Sequence, residues 1–496
     1  MPHIPFVDVV PVDGLNDAPA TARAMNATPG FLPPFAAPLV AASPDPNRFD
    51  YLFPNLQNTA DLLPESPATV SALKQLGNTM SEPGTDPTRN SAIPAAYTYF
   101  GQFIDHDITL MSLPRDIKLD DPNLAPLAPS DVQRIRNVRT ATFDLDCVYS
   151  EAPHASDDLM LLGLVAKDGP RPAGKVGNDF DLPRQGRSPD PAHDRTARIG
   201  DGRNEENAII AQMHVAFLRA HNALVARGHT YCEARALLRQ HYQWIVIHDY
   251  LKRVADPAIV DDLLANPGNL YPAGRLFIPF EFSAAAFRFG HTMVRAAYDV
   301  NVNFPARFAS LLRLFNVLGP YLNLPEKWLI QWENFVEGGT NVARRIDTSL
   351  VEPLSTLPGL PGIAIRGEIS LAVRNLLRGY VLRIPTGQAV ARVLSLPILS
   401  ASELVEAAVS KEQAEVLEST ELSTRTPLWF YILAEAVHFN QGRLLGPVGS
   451  TLVAGVLIGL IRNTKNSFLQ TPNWTPSVSG TKFDLPDLLR LAGVLD

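Results

Sequence analysis

Three adjacent ionisable side chains, Asp105, His106 and Asp107, interrupt an otherwise apolar segment, "AYTYFGQFIDHDITLM" (96–111). A helix of that composition suits burial, and buried charge is costly unless it is paired or binds a metal. The segment obliges the fold either to bring partners to it or to leave one face in water. From this window alone, a surface cluster or a core histidine held by a neighbouring carboxylate is the simpler account. Helical geometry opens a second one. Gln102 and His106, four residues apart, share one face, while Asp105 and Asp107 point roughly 100° to either side of His106. Such a helix aims His106 at a reactive centre, Asp105 at its rim and Asp107 at a separate cation.

The remaining chain has the means to bury this segment. Of its 496 residues, 46% are hydrophobic, enough for a large core. "RNEENAIIAQMHVAFLRAHNALVARG" sets Ile209, Met213, Ala216, Phe217, Ala220 and Leu224 at helical spacing and ends at Gly228, a suitable C-terminal cap. "CEARALLRQHYQWIVIHDYLKRV", "FSAAAFRFGHTMVRAAY", "ARFASLLRLFNVL" and "ISLAVRNLLRGYVLRIP" continue the helical pattern, and alternating strand patterns are rare. The expected fold is mainly α. Residues 1–95 carry 16 of the 43 prolines and read as an extended arm, with a short helix over "ATVSALKQLG" (68–77). A body over 96–470 and a packed tail over 471–496 complete the expected organisation, with a Pro/Asp/Gly-rich excursion near 170–202.

Composition excludes several classes. A net charge of -8 argues against nucleic acid as the main partner. Two cysteines, Cys147 and Cys232, rule out a disulfide framework or a Cys-rich metal site, and their spacing leaves open whether they pair. The longest apolar run, "TLVAGVLIGLI" (451–461), is far short of the roughly 20 residues of a membrane span and reads as a core helix. No basic start followed by an apolar stretch marks a signal peptide, so the expected location is the cytoplasm or a signal-less export route.

Four further segments carry chemistry. "RTATFDLDCVY" puts Thr140, Thr142, Asp144 and Asp146 on alternate residues, an oxygen-rich spacing that suits calcium as well as it suits a solvated acidic turn. In "GDGRNEEN", Arg203 and Glu206 lie one turn apart at a helix start, able to face one pocket or to form a surface pair. "FRFGHTMV" sets Arg288 and His291 three residues apart among apolar neighbours, and a lone buried histidine of this kind is more often structural than a ligand. "LAVRNLLRGY" carries Asn375 and Arg378, again one turn apart, and Asn375 suits the role of accepting the ring N–H of a metal-ligating histidine.

Together, and in this order, "GQFIDHD", "GDGRNEE" and "FRFGHT" resemble the animal haem peroxidase family, the likeness running from about Ala96 to about Leu469. The resemblance implies a helical fold with haem b between a distal and a proximal helix. It implies Gln102, His106 and Arg203 as distal catalytic residues. His291 would be the proximal iron ligand, with Asn375 as its hydrogen-bond partner and Arg288 and Arg378 near the propionates. Asp107, Thr140, Thr142, Asp144 and Asp146 would hold calcium, and Asp105 and Glu206 match carboxylates that form ester links to haem in mammalian members. Asn207 stands where one member has a methionine in a third link, so that bond is not expected. Asp146 replaces a serine and Ser150 a glycine of the mammalian pattern, and the mammalian disulfides are missing. The implied reaction is reduction of hydrogen peroxide with oxidation of a phenol, halide or thiocyanate. Two rivals are a fatty-acid dioxygenase of cyclooxygenase type and a non-catalytic haem-binding or adhesion protein. The first needs a radical-forming tyrosine where this chain has Arg288, and the second is expected to lack His106, Arg203 or His291.

Overall fold

The computed structural model of the chain describes residues 47–113, 117–150, 154, 156–167, 172, 179–186, 195–266, 270–304, 309–317, 323–355, 365–366, 370–478 and 480–496. Residues 1–46 of the expected arm and much of the 170–202 excursion lie outside the described residues. The described part is mainly helical, and its strands are short pairs.

The rest of the arm is woven into the body. Phe49–Asp50 pairs in parallel with Ile278–Pro279. Just beyond, the buried carboxylate of Glu281 accepts the backbone N–H groups of Leu52 (2.9 Å) and Phe53 (3.0 Å). The expected short helix spans Pro67–Thr79, started by Ser66, whose hydroxyl accepts the Thr69 N–H at 3.1 Å. It packs on the Leu371–Val381 helix so closely that a Cβ on Gly77 would stand 2.7 Å from Val373 Cγ2.

The Asp-His-Asp segment forms the Ala96–Ile108 helix, in which Gln102 alone is not buried. It has no side-chain cap. Its first N–H groups are satisfied instead by chain running beside the Asn90–Pro94 and Val342–Arg344 pair: Ala95 N–H donates to Asn341 O and Ala96 N–H to Phe335 O, both at 3.0 Å. One side packs on the Ala208–Ala226 helix, with Phe103 stacked on Phe217 at 4.2 Å. That second helix is capped by Asn207, which accepts from Ile209 and Ile210 N–H, and is closed by Gly228 at φ +98.

Three expected helices differ from their patterns. The one starting near residue 231 opens with a Thr230–Glu233 capping box, but it runs through a π turn at Val246–Tyr250 before ending at Val254. The wider winding carries Asp249, whose carboxylate accepts from Tyr97 Oη (2.7 Å), Leu485 N–H (2.9 Å) and Arg253 Nε (2.6 Å). This ties the Leu485–Leu491 helix of the tail to the Ala96–Ile108 helix. The "FSAAAFRFGHTMVRAAY" stretch is not one α-helix. Phe280–Ser283 is followed by a break at Ala285 (φ -136, ψ -71) and a 3-10 helix over Ala286–Met293. Apolar spacing does not separate the two windings over so few residues. In "ARFASLLRLFNVL", whose residues 306–308 and 318 lie outside the described residues, Ala309–Ser310 is a short strand and Leu311–Asn316 is helical.

The apolar run at 451–461 lies in the buried Pro447–Asn463 helix, whose first turn donates from Val448 and Gly449 N–H to Glu435. Among the described residues, no helix is long and apolar enough to cross a membrane. Cys147 is buried, Cys232 is exposed, and neither is in a disulfide.

Candidate active site

The Ala96–Ile108 helix and the Ala286–Met293 3-10 helix meet at a cleft of about 520 Å³, part of it open to solvent. Gln102 and Asp105 line it from the first side, Arg288 and His291 from the second, with Tyr99 and Tyr250 between. Gly101 is needed here, because a Cβ would stand 2.6 Å from the Tyr250 hydroxyl. In a 3-10 helix, residues three apart eclipse, so Arg288 and His291 point the same way.

Behind His291 lies the Leu371–Val381 helix. Its Asn375 Nδ2 is 2.8 Å from His291 Nδ1, while Asn375 Oδ1 is buried with no hydrogen-bond partner. Burial first, then the charges of Arg288 and Arg378, hold His291 well below the usual histidine range. Burial and the neighbouring Arg378 also push Arg288 well down, and burial lowers Arg378 to about 10. Two arginine charges close together and out of water favour an anion beside them.

His106, Arg203 and Glu206 stand behind the Gln102/Asp105 wall rather than on its surface. Gln102 Nε2 donates to Glu206 Oε2 (3.2 Å), and Glu206 Oε1 and Gln102 Oε1 are buried without partners. The Arg203 guanidinium, expected to face a pocket, is held in a two-pronged ion pair by Asp201 (Nε–Oδ1 3.0 Å, Nη2–Oδ2 2.8 Å). It also donates to Thr109 O and lies 3.6 Å from Asp105 Oδ2. Burial outweighs this cation, so Asp105 is raised, and Glu206 is raised well above the usual carboxylate range. His106 Nδ1 is 2.8 Å from Asn204 Oδ1, and burial, with Arg203 nearby, lowers its pKa to about 3. His106 is therefore neutral at ordinary pH.

Asp107 points away from this group. Its Oδ1 accepts the Cys147 N–H at 3.2 Å, and its Oδ2 is buried and unpartnered. Burial and then Asp144 raise its pKa well above the usual value. Thr142 Oγ1 donates to Thr140 Oγ1 (2.8 Å), which reaches Asp144 Oδ1 at 3.4 Å. Asp146 is engaged by Arg139 at 3.0 Å. Among the described residues, no three His, Cys, Asp or Glu side chains are gathered tightly enough to hold a metal ion.

The sequence left three of these residues unread. Asp201 opens the Gly202–Glu205 turn as its N-cap, a role that Asp two positions before Arg in "GDGR" signals. Asn204 carries no comparable mark. Tyr250 reaches the cleft through the π turn, which apolar periodicity does not reveal.

A family model described as animal haem peroxidase matches residues 125–419, more than half of the chain. Thyroid peroxidase of Mus musculus is 26% identical over 223 residues, 39% of this chain and 23% of the relative. A peroxidase-like protein of Margaritifera margaritifera is 29% identical over 124 residues, 22% of this chain and 16% of the relative. The chain thus spans less than a quarter of the length of either. Among solved structures, peroxidase A from Dictyostelium discoideum superposes with a TM-score of 0.62 at 14% identity, covering 92% of this chain and 94% of that one. The fatty acid alpha-dioxygenase of Arabidopsis thaliana gives 0.52 at 11% identity, covering 90% and 74%. At such identities the likeness concerns the fold.

Proposed function

The chain belongs to the animal haem peroxidase family, and from that premise we propose that it reduces hydrogen peroxide at a haem b and oxidises small reductants such as phenols, halides or thiocyanate. Residues 96–470 form the catalytic body, with 471–496 packed on it. His291 is the iron ligand, and Arg288 and Arg378 face the haem carboxylates. The residues present fit such a group. Turning the Asn375 amide over lets His291 Nδ1–H donate to the orphaned Oδ1, which leaves Nε2 for iron. Arg288 and Arg378, both buried and the second close enough to lower the first, suit carboxylates placed beside them.

Bound haem supplies a redox-active iron able to take up the oxidising equivalents of peroxide and pass them to a reductant. The acid-base work falls to His106. Its Nδ1 is occupied by Asn204, so Nε2 is the atom that accepts a proton from one peroxide oxygen and returns it to the other. Arg203 keeps its charge under all working conditions and stabilises negative charge as it separates. The observation that carries this reading is His291, backed by Asn375, on a cleft whose other wall bears Gln102 and Asp105 and is backed by a neutral His106. It is tested by the absorption spectrum of purified protein. Addition of peroxide shifts the Soret band, and guaiacol, bromide or thiocyanate restores it. Lack of a Soret band, or one inert to peroxide, defeats the reading. Arg288 stands where a cyclooxygenase-type enzyme needs its tyrosine, which disfavours the dioxygenase alternative.

On this reading Asp107 and the 140–146 loop hold one calcium ion. The cation answers the unpartnered Asp107 Oδ2 and the carboxyl groups of Asp107 and Asp146, both raised by burial first. With free calcium at a hundred times its Kd, occupancy adds about 2.7 kcal/mol of stability, so chelation lowers the melting temperature and disturbs the haem spectrum together. Active protein free of calcium by metal analysis removes the site.

Asp105 and Glu206 would each link to a haem methyl group as an ester, the methyl C–H and carboxyl O–H giving way to a C–O bond while one peroxide per link is the two-electron oxidant and leaves as water. After a few equivalents of peroxide, acid-acetone extraction leaves haem on wild type, releases part of it from Asp105→Val or Glu206→Gln, and releases all of it from the double variant. Full extraction from treated wild type leaves the two carboxylates a structural role only.

A further inference from the structure

Resting on the peroxidase reading of His106, we propose that Asn204 and His214 are positioning residues that fix which nitrogen of His106 is basic. The three side chains form a buried file. His106 Nδ1 lies 2.8 Å from Asn204 Oδ1, and Asn204 Nδ2 lies 3.0 Å from His214 Nδ1. His106 is 1% exposed, Asn204 and His214 0%.

A carbonyl oxygen only accepts and an amide nitrogen only donates. With Oδ1 toward His106, Nδ1 of His106 must carry the proton, and its lone pair resides on Nε2. With Nδ2 toward His214, that ring must accept at Nδ1 and carry its proton on Nε2, where the file ends without a further partner. The two contacts are coupled. Turning the Asn204 amide over would present a donor to His106 Nδ1, force its proton onto Nε2, and leave no lone pair for peroxide. The same motion would present Oδ1 to His214 and require its proton to move from Nε2 to Nδ1, so the two rings and the amide change together rather than singly. The tautomer of a catalytic histidine is commonly set by the bond its other nitrogen makes. Here the setting is made by an amide whose orientation is coupled to the tautomer of a second ring on the Ala208–Ala226 helix. Placing the imidazole of a serine-protease triad in the wrong tautomer costs about 10⁴ in kcat, so the device has room to matter.

The test uses the full-length chain with 15N-labelled histidine. Ring nitrogen shifts in the haem-free protein report the tautomer, and stopped-flow mixing of the haem-loaded protein with peroxide reports the reaction. Wild-type His106 shows a protonated Nδ1 and a bare Nε2. Asn204→Leu shows both tautomers and reacts at least about tenfold more slowly, with haem content unchanged. Asn204→Asp, which still accepts from Nδ1–H, keeps the wild-type tautomer and stays within about a factor of ten of the wild-type rate. His214→Phe, a second route should Asn204→Leu fold poorly, frees the amide to turn and also shows both tautomers. A wild-type His106 protonated at Nε2, or one whose tautomer survives both Asn204→Leu and His214→Phe, overturns the proposal. A wild type inert to peroxide defeats the peroxidase reading instead, and the nitrogen shifts still judge the file.

Discussion

Replacing His106 by alanine slows the reaction with hydrogen peroxide by at least about 100-fold, and up to about 10,000-fold, the usual range for a general acid-base group. Haem content stays at the wild-type level, because the proposed iron ligand, His291, is on the opposite side of the cleft. The size of the loss follows from the site. His106 is neutral, with a pKa lowered to about 3, and one nitrogen is committed to Asn204. The neighbouring Asp105 and Glu206 are themselves raised by burial toward their protonated forms, so neither replaces it as a base. The variant leaves Asn204 Oδ1 without its donor, a cost of about 1–3 kcal/mol, so its melting temperature is recorded beside the rate. A stopped-flow rate within a few-fold of wild type would take His106 out of the chemistry.

The second large effect is on cofactor retention. His291→Ala is purified with little or no haem, whereas His214→Ala and His221→Ala keep it. The contrast rests on surroundings. His291 lines the cleft, His214 ends the file behind His106, and His221 is engaged by the Tyr149 hydroxyl (2.9 Å) and Asp158 O (3.0 Å) on the far part of the same helix. Added imidazole, filling the space of the missing ring, restores haem binding to His291→Ala. A normal haem content and spectrum without imidazole would move the iron ligand elsewhere.

Much of this site can be read in the residues themselves. Asp105, His106 and Asp107 declare a burial problem in any apolar helix, and the structure does bury all three, each facing a different neighbour. The helix over 208–226 is equally plain, because Asn207 and Gly228 mark its ends. Winding is less legible. The Phe287–Val294 stretch has the same i, i+3 spacing in a 3-10 helix as in an α-helix, and the π turn at Val246–Tyr250 leaves apolar periodicity almost untouched. Partners distant in the chain are least legible. Asp201 grips Arg203 within one turn and had a local signal, but Asn204 meets a histidine 98 residues away, and no local pattern encodes that meeting.

The grip of Asp249 also bears on how the molecule is made. Its carboxylate joins Tyr97, 152 positions earlier, to the Leu485 amide, 236 positions later. Contacts of such separation must overcome loop-closure entropy before they repay it, which slows folding. A ribosome releases Tyr97 long before it reaches Leu485, so one wall of the cleft waits, incompletely braced, for the tail to emerge. On the proposed haem reading, loading then follows synthesis, and cultures starved of haem are expected to accumulate an empty chain that can be charged later.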